Sequence, residues 1–183
     1  MKIEFVESGV CAPKGFTASG VHCGIRKNRS KQDLGMIFSE VPCVSAGVYT
    51  KNKVKGAPIL VTMNHLEDGI ARAVIANSGN ANTCNANGVE KADLMCEALA
   101  KKLHISPDDV IIASTGVIGQ PLPMEPILSG IGPLVDALSA DGSDSAAQAI
   151  MTTDTAKKEA AVQFSLGGKT VTIGAIAKGS GMI

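Results

Sequence analysis

Val110-Ile111-Ile112-Ala113-Ser114-Thr115-Gly116-Val117-Ile118-Gly119 begins as a short, apolar, β-branched run of the kind that forms a buried strand. It breaks at Ser114-Thr115-Gly116, where small hydroxyl side chains and a glycine let the backbone turn. A strand tip that exposes backbone N–H groups beside a hydroxyl is suited to holding a developing oxyanion. The plainer reading of the same residues is a strand end and a turn. The surrounding chain decides between the two.

Upstream, Ala71 to Ala76 reads as a second strand, closed by the polar loop Asn77-Ser78-Gly79-Asn80-Ala81-Asn82-Thr83-Cys84-Asn85. Asparagine and glycine tolerate left-handed backbone and stitch turns to the main chain, so this loop is either a fastening or the polar wall of a site. Between the two strands, Ala92, Met95, Cys96, Leu99 and Leu103 recur on one face of a helix over 88–103. The order strand, loop, helix, strand predicts an α/β crossover unit, and Cys96 on the apolar stripe reads as a core thiol.

Nearer the start, Val21 to Ile25, Leu34 to Ser39, Val44 to Thr50 and Ile59 to Thr62 are expected strands, after an irregular entry through Pro13-Lys14-Gly15-Phe16. The run Arg26 to Lys31 reads as a solvated tip. Lys51, Lys53 and Lys55 read as the guard of an exposed strand edge. Downstream, the apolar spacing from Ile127 to Leu138 is helical, with Gly130, Gly132 and Pro133 expected to divide it in two. A short Ala-rich helix from Ser145 to Met151 leads to Thr152-Thr153-Asp154-Thr155. Ala161 to Leu166 and Thr170 to Ala177 form a hairpin around Gly167-Gly168. That hairpin delivers Lys178-Gly179-Ser180-Gly181, where a lysine could meet a carboxylate or phosphate. The ending Met182-Ile183 reads as a cut rather than a frayed terminus.

Lys plus Arg and Asp plus Glu balance at 17 each and aromatics are 3%, which argues against a nucleic-acid or anionic-membrane partner. The five cysteines form no C-x-x-C pair, so a metal cluster or disulfide framework is not expected and a reducing cytoplasm is. No stretch is long and apolar enough to span a bilayer. His22, His65 and His104 read as structural or surface residues.

Taken in order, Pro13-Lys14-Gly15-Phe16, Asn77-Ser78-Gly79-Asn80-Ala81-Asn82, Ala113-Ser114-Thr115-Gly116-Val117-Ile118-Gly119, Pro121-Leu122-Pro123-Met124, Met151-Thr152-Thr153-Asp154-Thr155 and Ala177-Lys178-Gly179-Ser180-Gly181-Met182 closely resemble the bifunctional ornithine acetyltransferase family, the glutamate N-acetyltransferases of arginine biosynthesis. The resemblance implies a mixed-sheet layered α/β fold whose core is shared between α and β fragments of a self-cleaved precursor. Residues 1–183 would be a single α-chain fragment, its β chain bearing an N-terminal threonine nucleophile and the αβ units assembling into a heterotetramer or larger. By the same resemblance Thr115 supplies an oxyanion hole through its hydroxyl and Gly116 through its N–H. Thr152 and Lys178 would contact the substrates, N-acetylornithine and glutamate, although Thr153 could face the site in place of Thr152. No cofactor or metal is implied; acetyl-CoA is a candidate co-substrate. An N-terminal-nucleophile amidase or peptidase subunit, and a non-catalytic anion-binding module, are the competing readings.

Overall fold

The computed structural model describes residues 2–179. Its centre is a four-stranded mixed sheet built from β2 (Phe16–Val21), β3 (Leu34–Val44), β4 (Ile70–Asn80) and β5 (Val110–Val117), in that spatial order. β2, β3 and β4 pair antiparallel; β4 and β5 pair parallel. A parallel pair needs a crossover, which α2 (Gly88–Leu103) supplies. α1 (Ala57–His65) and α3 (Met124–Asp136) join α2 on the same face. There Leu34, Met36, Ile75, Met95, Leu99 and Leu134 interlock in the main core. Strand alternation assigns the opposite face to Ile37, Val74, Ala76 and Ala113.

α4 (Ser143–Ala149) packs on that opposite face over β2 and β3. Its small side chains Ala146, Ala147 and Ala149 are almost fully buried. A second, three-stranded antiparallel sheet is made of β1 (Ile3–Val6), β6 (Lys158–Leu166) and β7 (Lys169–Ala177), with β6 central. Ser143 Oγ ties it to α4 by donating to Glu159 Oε2 on β6 at 2.9 Å, and also accepts at 3.0 Å from the N–H of Val10, in the short turn Gly9–Cys11 after β1. The hairpin β6–β7 turns through Gly167 and Gly168 at φ 57° and 76°, the left-handed pair that a two-residue turn of this twist demands.

Several expectations are corrected. Ile59 to Thr62 is helix, part of α1. Pro58 is acceptable in a first turn, where its missing N–H would be unpaired anyway, and tertiary bonds then fix the segment. Thr62 Oγ1 donates to Ile112 O (2.9 Å) and accepts from Ile112 N (3.1 Å), while His65 Nδ1 lies 2.8 Å from Val110 O. The helix thus covers the outer edge of β5 that another strand would otherwise occupy.

No strand forms over the expected Val21 to Ile25: β2 occupies Phe16–Val21 and ends where that strand was expected to begin. The one expected at Val44 to Thr50 is absent. Its ladder stops where Val44 meets Ile70, so Lys51, Lys53 and Lys55 lie on irregular chain rather than a strand edge. β1, where the sequence pointed to no element, forms by pairing with β6. α3 is one helix despite Pro133, which falls within its last turn and removes a single intrahelical bond.

Candidate functional site

The site begins where β4 and β5 end side by side, with Ser78 opposite Thr115 and Gly79 opposite Gly116. Neither strand breaks where the sequence suggested: β5 runs through Val117 and β4 through Asn80. The turn is replaced by an irregularity in which Asn80 faces both Thr115 and Val117. Gly116 has φ +136°, and a Cβ there would lie 2.3 Å from Gly79 C and 2.5 Å from Asn80 N, so no side chain fits. The half-buried Thr115 precedes this contact.

Backbone alternation gives the direction of the amide. Val110 and Ile112 turn their polar groups away from β4, to α1, whereas Val117 O accepts from Ala81 N on the β4 side. Ser114 and Gly116 share the parity of Ile112, so the Gly116 N–H points to the outer side of β5.

The asparagine loop is a set of fastenings. Asn77, fully buried, accepts from Ser114 Oγ at 2.6 Å and donates to Asn80 O at 2.9 Å. Ser78 Oγ donates to Ala149 O at 2.6 Å, which ties the β4 tip to the end of α4. Asn80 Nδ2 donates to Gln120 O and Pro121 O, both at 3.2 Å. Asn82 donates to Gly88 O at 2.8 Å. Of the two readings of this loop, the fastening one describes these side chains.

Thr115 and Lys178 line one cavity of about 330 Å³ on the sheet face opposite the main core. Ile37, Val74 and Ala76 form its apolar floor, with Ile150 and Ile176 on the side of α4 and β7. Thr152 follows Ile150 by two residues and is half-buried, whereas Thr153 is exposed; Gly116 and Thr152 do not line the cavity itself. The terminal residues Ser180 and Gly181 of the glycine-rich loop, with the Met182-Ile183 ending, lie outside the described residues.

One carboxylate joins Thr152 to Lys178. The side chain of Asp154 is 3% exposed. Its Oδ2 accepts from Thr152 N at 3.1 Å and lies 3.6 Å from Lys178 Nζ. Its Oδ1 accepts from Gly179 N at 2.7 Å and from Lys158 Nζ at 2.9 Å. These donors, led by Lys158 and followed by the two backbone N–H groups, hold the Asp154 carboxyl well below the usual carboxylate range. Sequence reasoning noted a carboxylate in this stretch but assigned it no role.

It also missed Arg26, read as part of a solvated tip. Arg26 folds inward: its guanidinium donates to Met151 O, next to Thr152. Its own N–H is held by the fully buried Asp33 at 2.9 Å, which also accepts from Cys23 N. Cys96 and His65 take the structural roles that their sequence context indicated. Burial pushes the Cys96 thiol up to about 12, the value of an inert core cysteine, and His65 serves the β5 edge.

Residues 17–183 match the model of the ArgJ family. The chain is 50% identical over 183 residues to the arginine biosynthesis bifunctional protein ArgJ of Symbiobacterium thermophilum, covering 99% of this chain and 46% of that protein. It is 49% identical over 180 residues to the protein of the same name from Bacillus subtilis, covering 97% of this chain and 43% of that one. The chain therefore spans less than half the length of these relatives. Among solved structures, that of arginine biosynthesis bifunctional protein argJ from Bacillus halodurans matches with a TM-score of 0.92 at 42% identity, over 100% of this chain and 96% of that one. Ornithine acetyltransferase of Mycobacterium tuberculosis complexed with ornithine matches with a TM-score of 0.92 at 39% identity, over 100% and 97%. Among the described residues no helix is long and apolar enough to cross a membrane.

Asp154 makes stability depend on pH in a defined direction. With its folded-state pKa depressed below the ordinary 3.8, its contribution is fully present above 3.8 and is lost as pH falls through the folded value. Urea titrations of the wild type and Asp154→Asn should give a constant stability difference from about pH 7 to about pH 5 that narrows below pH 4. A difference independent of pH down to about pH 2 would contradict the depressed carboxyl.

Proposed function

The chain belongs to the ArgJ family, and from that premise we propose that it is the α portion of a cytoplasmic glutamate N-acetyltransferase of arginine biosynthesis. The observation that carries this reading is the shared cavity, with Thr115 beside the outward Gly116 amide at a strand tip and Lys178 lining the same space. The neighbour bound to ornithine supports the substrate class. The solved relatives are matched over 96% and 97% of their chains but the full-length ones over 46%. That contrast supports an α portion standing as a chain of its own, residues 1–183 acting as one unit with a β chain cut from the same precursor. Family membership favours acetyl transfer over the amidase and anion-binding readings.

In the proposed reaction a threonine at the head of the β chain, with its freed amine as base, attacks the acetyl carbonyl of N-acetylornithine. The carbonyl oxygen becomes an oxyanion, received by the Thr115 hydroxyl and the Gly116 N–H. The C–N bond then breaks, ornithine leaves with the proton, and an acetyl ester remains on the threonine. The glutamate amine attacks that ester through a second oxyanion in the same place. N-acetylglutamate leaves and the threonine hydroxyl is restored. Lys178 meets the α-carboxylate common to both substrates, and Thr152 borders the same end of the site. The exchange needs no cofactor; acetyl-CoA would load the same threonine by loss of the thiol. The αβ units assemble as a heterotetramer or larger.

Intact-mass analysis of the protein expressed from its full-length gene should find two co-purifying chains, the second beginning with threonine; a single uncut chain would sink the processing step. Thr115→Ala should lower kcat for acetyl transfer about 10²–10³-fold with little change in KM, as loss of an oxyanion donor does. Wild-type turnover in that variant would remove Thr115 from the site. Lys178→Ala should act mainly on KM for N-acetylornithine and for glutamate alike, and an unchanged KM would remove the carboxylate contact.

A further inference from the structure

We propose that Asp154 is a positioning residue for substrate binding: its carboxylate locks the Thr152 loop to the end of β7 and presents the Lys178 ammonium to the incoming α-carboxylate. The inference rests on the assignment of Lys178 to that carboxylate and extends it to a residue that has no substrate contact of its own.

Four groups from two separate segments converge on the two oxygens of Asp154. Two are backbone N–H groups, of Thr152 and Gly179, that lie outside any helix or strand. Without the carboxylate both would need another acceptor in a partly buried place. Among the described residues the β6–β7 ladder ends at Lys158 and Ala177; beyond it, Asp154 links Thr152 to the Lys178-Gly179 segment. The approach is close enough to dictate the neighbour. A Cβ on Gly179 would lie 2.6 Å from Asp154 Oδ1, so glycine at 179 is what lets the carboxylate reach that amide.

Lys178 is held in a way that leaves it available. Its Nζ donates to Gly179 O at 2.9 Å and stands 3.6 Å from Asp154 Oδ2, an ion-pair distance rather than a hydrogen bond. An ammonium has three donors, and among the described residues only Gly179 O takes one within hydrogen-bond distance. Lys158, on the other oxygen, is 47% exposed while Lys178 is 21% exposed. The two lysines around one carboxylate leave a positive charge in excess, and an incoming carboxylate meets a net attraction. Asp154 also gives the ammonium a resident counter-ion between the departure of ornithine and the arrival of glutamate. The side chain therefore need not leave the cavity when the site is empty.

The test is a double-mutant cycle in the assembled enzyme, with KM and kcat measured for N-acetylornithine in the wild type, Asp154→Asn, Lys178→Ala and the double variant. Asp154→Asn should raise KM about tenfold with little loss of kcat, and should raise it no further once Lys178 is alanine, as expected of coupled neighbours. Gly179→Ala, which pushes the carboxylate aside without removing a charge, should reproduce the KM effect and covers the case in which Asp154→Asn does not fold. An equal KM increase in both Lys178 backgrounds, or a change confined to kcat, would overturn the positioning role while leaving the Lys178 assignment intact. An unchanged KM in Lys178→Ala alone would instead overturn the Lys178 assignment and the positioning role built on it.

Discussion

The site depends on how closely two parallel strand tips approach at Gly79 and Gly116. The distance from a notional Gly116 Cβ to the Gly79 backbone, 2.3 Å, leaves no room for a side chain, and the irregular register at Asn80 begins at the same point. A regular parallel pair would carry its pleat onward and bury the last amides in the ladder. Here the ladder is forced out of step one residue after Thr115. The surrounding polar residues hold that departure in place: Asn77 and Asn80 brace it from within β4, and Ser78 anchors it to α4.

The second sheet is coupled to these tips through α4 and the segment after it rather than through strand pairing. Ser143 at the start of the helix holds Glu159 on β6, and Asp154 past its end holds Gly179 beyond β7. Between them the small residues of α4 lie flat on β2 and β3, so the spacing between the sheets is set by alanine packing. The apolar cavity is the space left next to this helix. Its polar members are supplied from both sheets: Thr115 from the strand tip, Lys178 from the hairpin.

The elements legible in the sequence were those in which local pattern and tertiary role agree. The stripe of Ala92, Met95, Cys96 and Leu99 gave α2 its bounds because the face that is apolar in sequence is the face that is buried. Gly167-Gly168 gave the hairpin because its turn has few alternatives. Ile59 to Thr62 misled because β-branched residues favour strands only where no partner decides otherwise, and here Thr62 and His65 find theirs on β5. Arg26 misled for a related reason. A charged run is solvated unless a buried acceptor waits for it, and nothing local to residues 26–31 announces Met151 O or the loop that wraps Asp33. Of the candidate site, the hydroxyl and glycine of β5 and the lysine after β7 could be named from motifs. The carboxylate joining the last two segments could not, because its role is a distance between residues far apart in the chain.

α1 bears on the chemistry as well as on the fold. Thr62 meets Ile112 and His65, one helical turn later, meets Val110, so α1 runs antiparallel to β5 and its N-terminus lies toward the Gly116 end. The bonds from α1 account for the outer edge at Val110 and Ile112 and stop there, leaving the later outward groups of β5, at Ser114 and Gly116, beyond its reach. The partial positive charge of a helix N-terminus acts over its first turn, and there Ala57 N donates to Asn82 O, so the donors at the strand tip are those of β5 itself. The chain as a whole carries no net charge. Within this chain, attraction for an anionic substrate or transition state therefore rests on local arrangements: the Gly116 amide and one lysine in excess over its carboxylate.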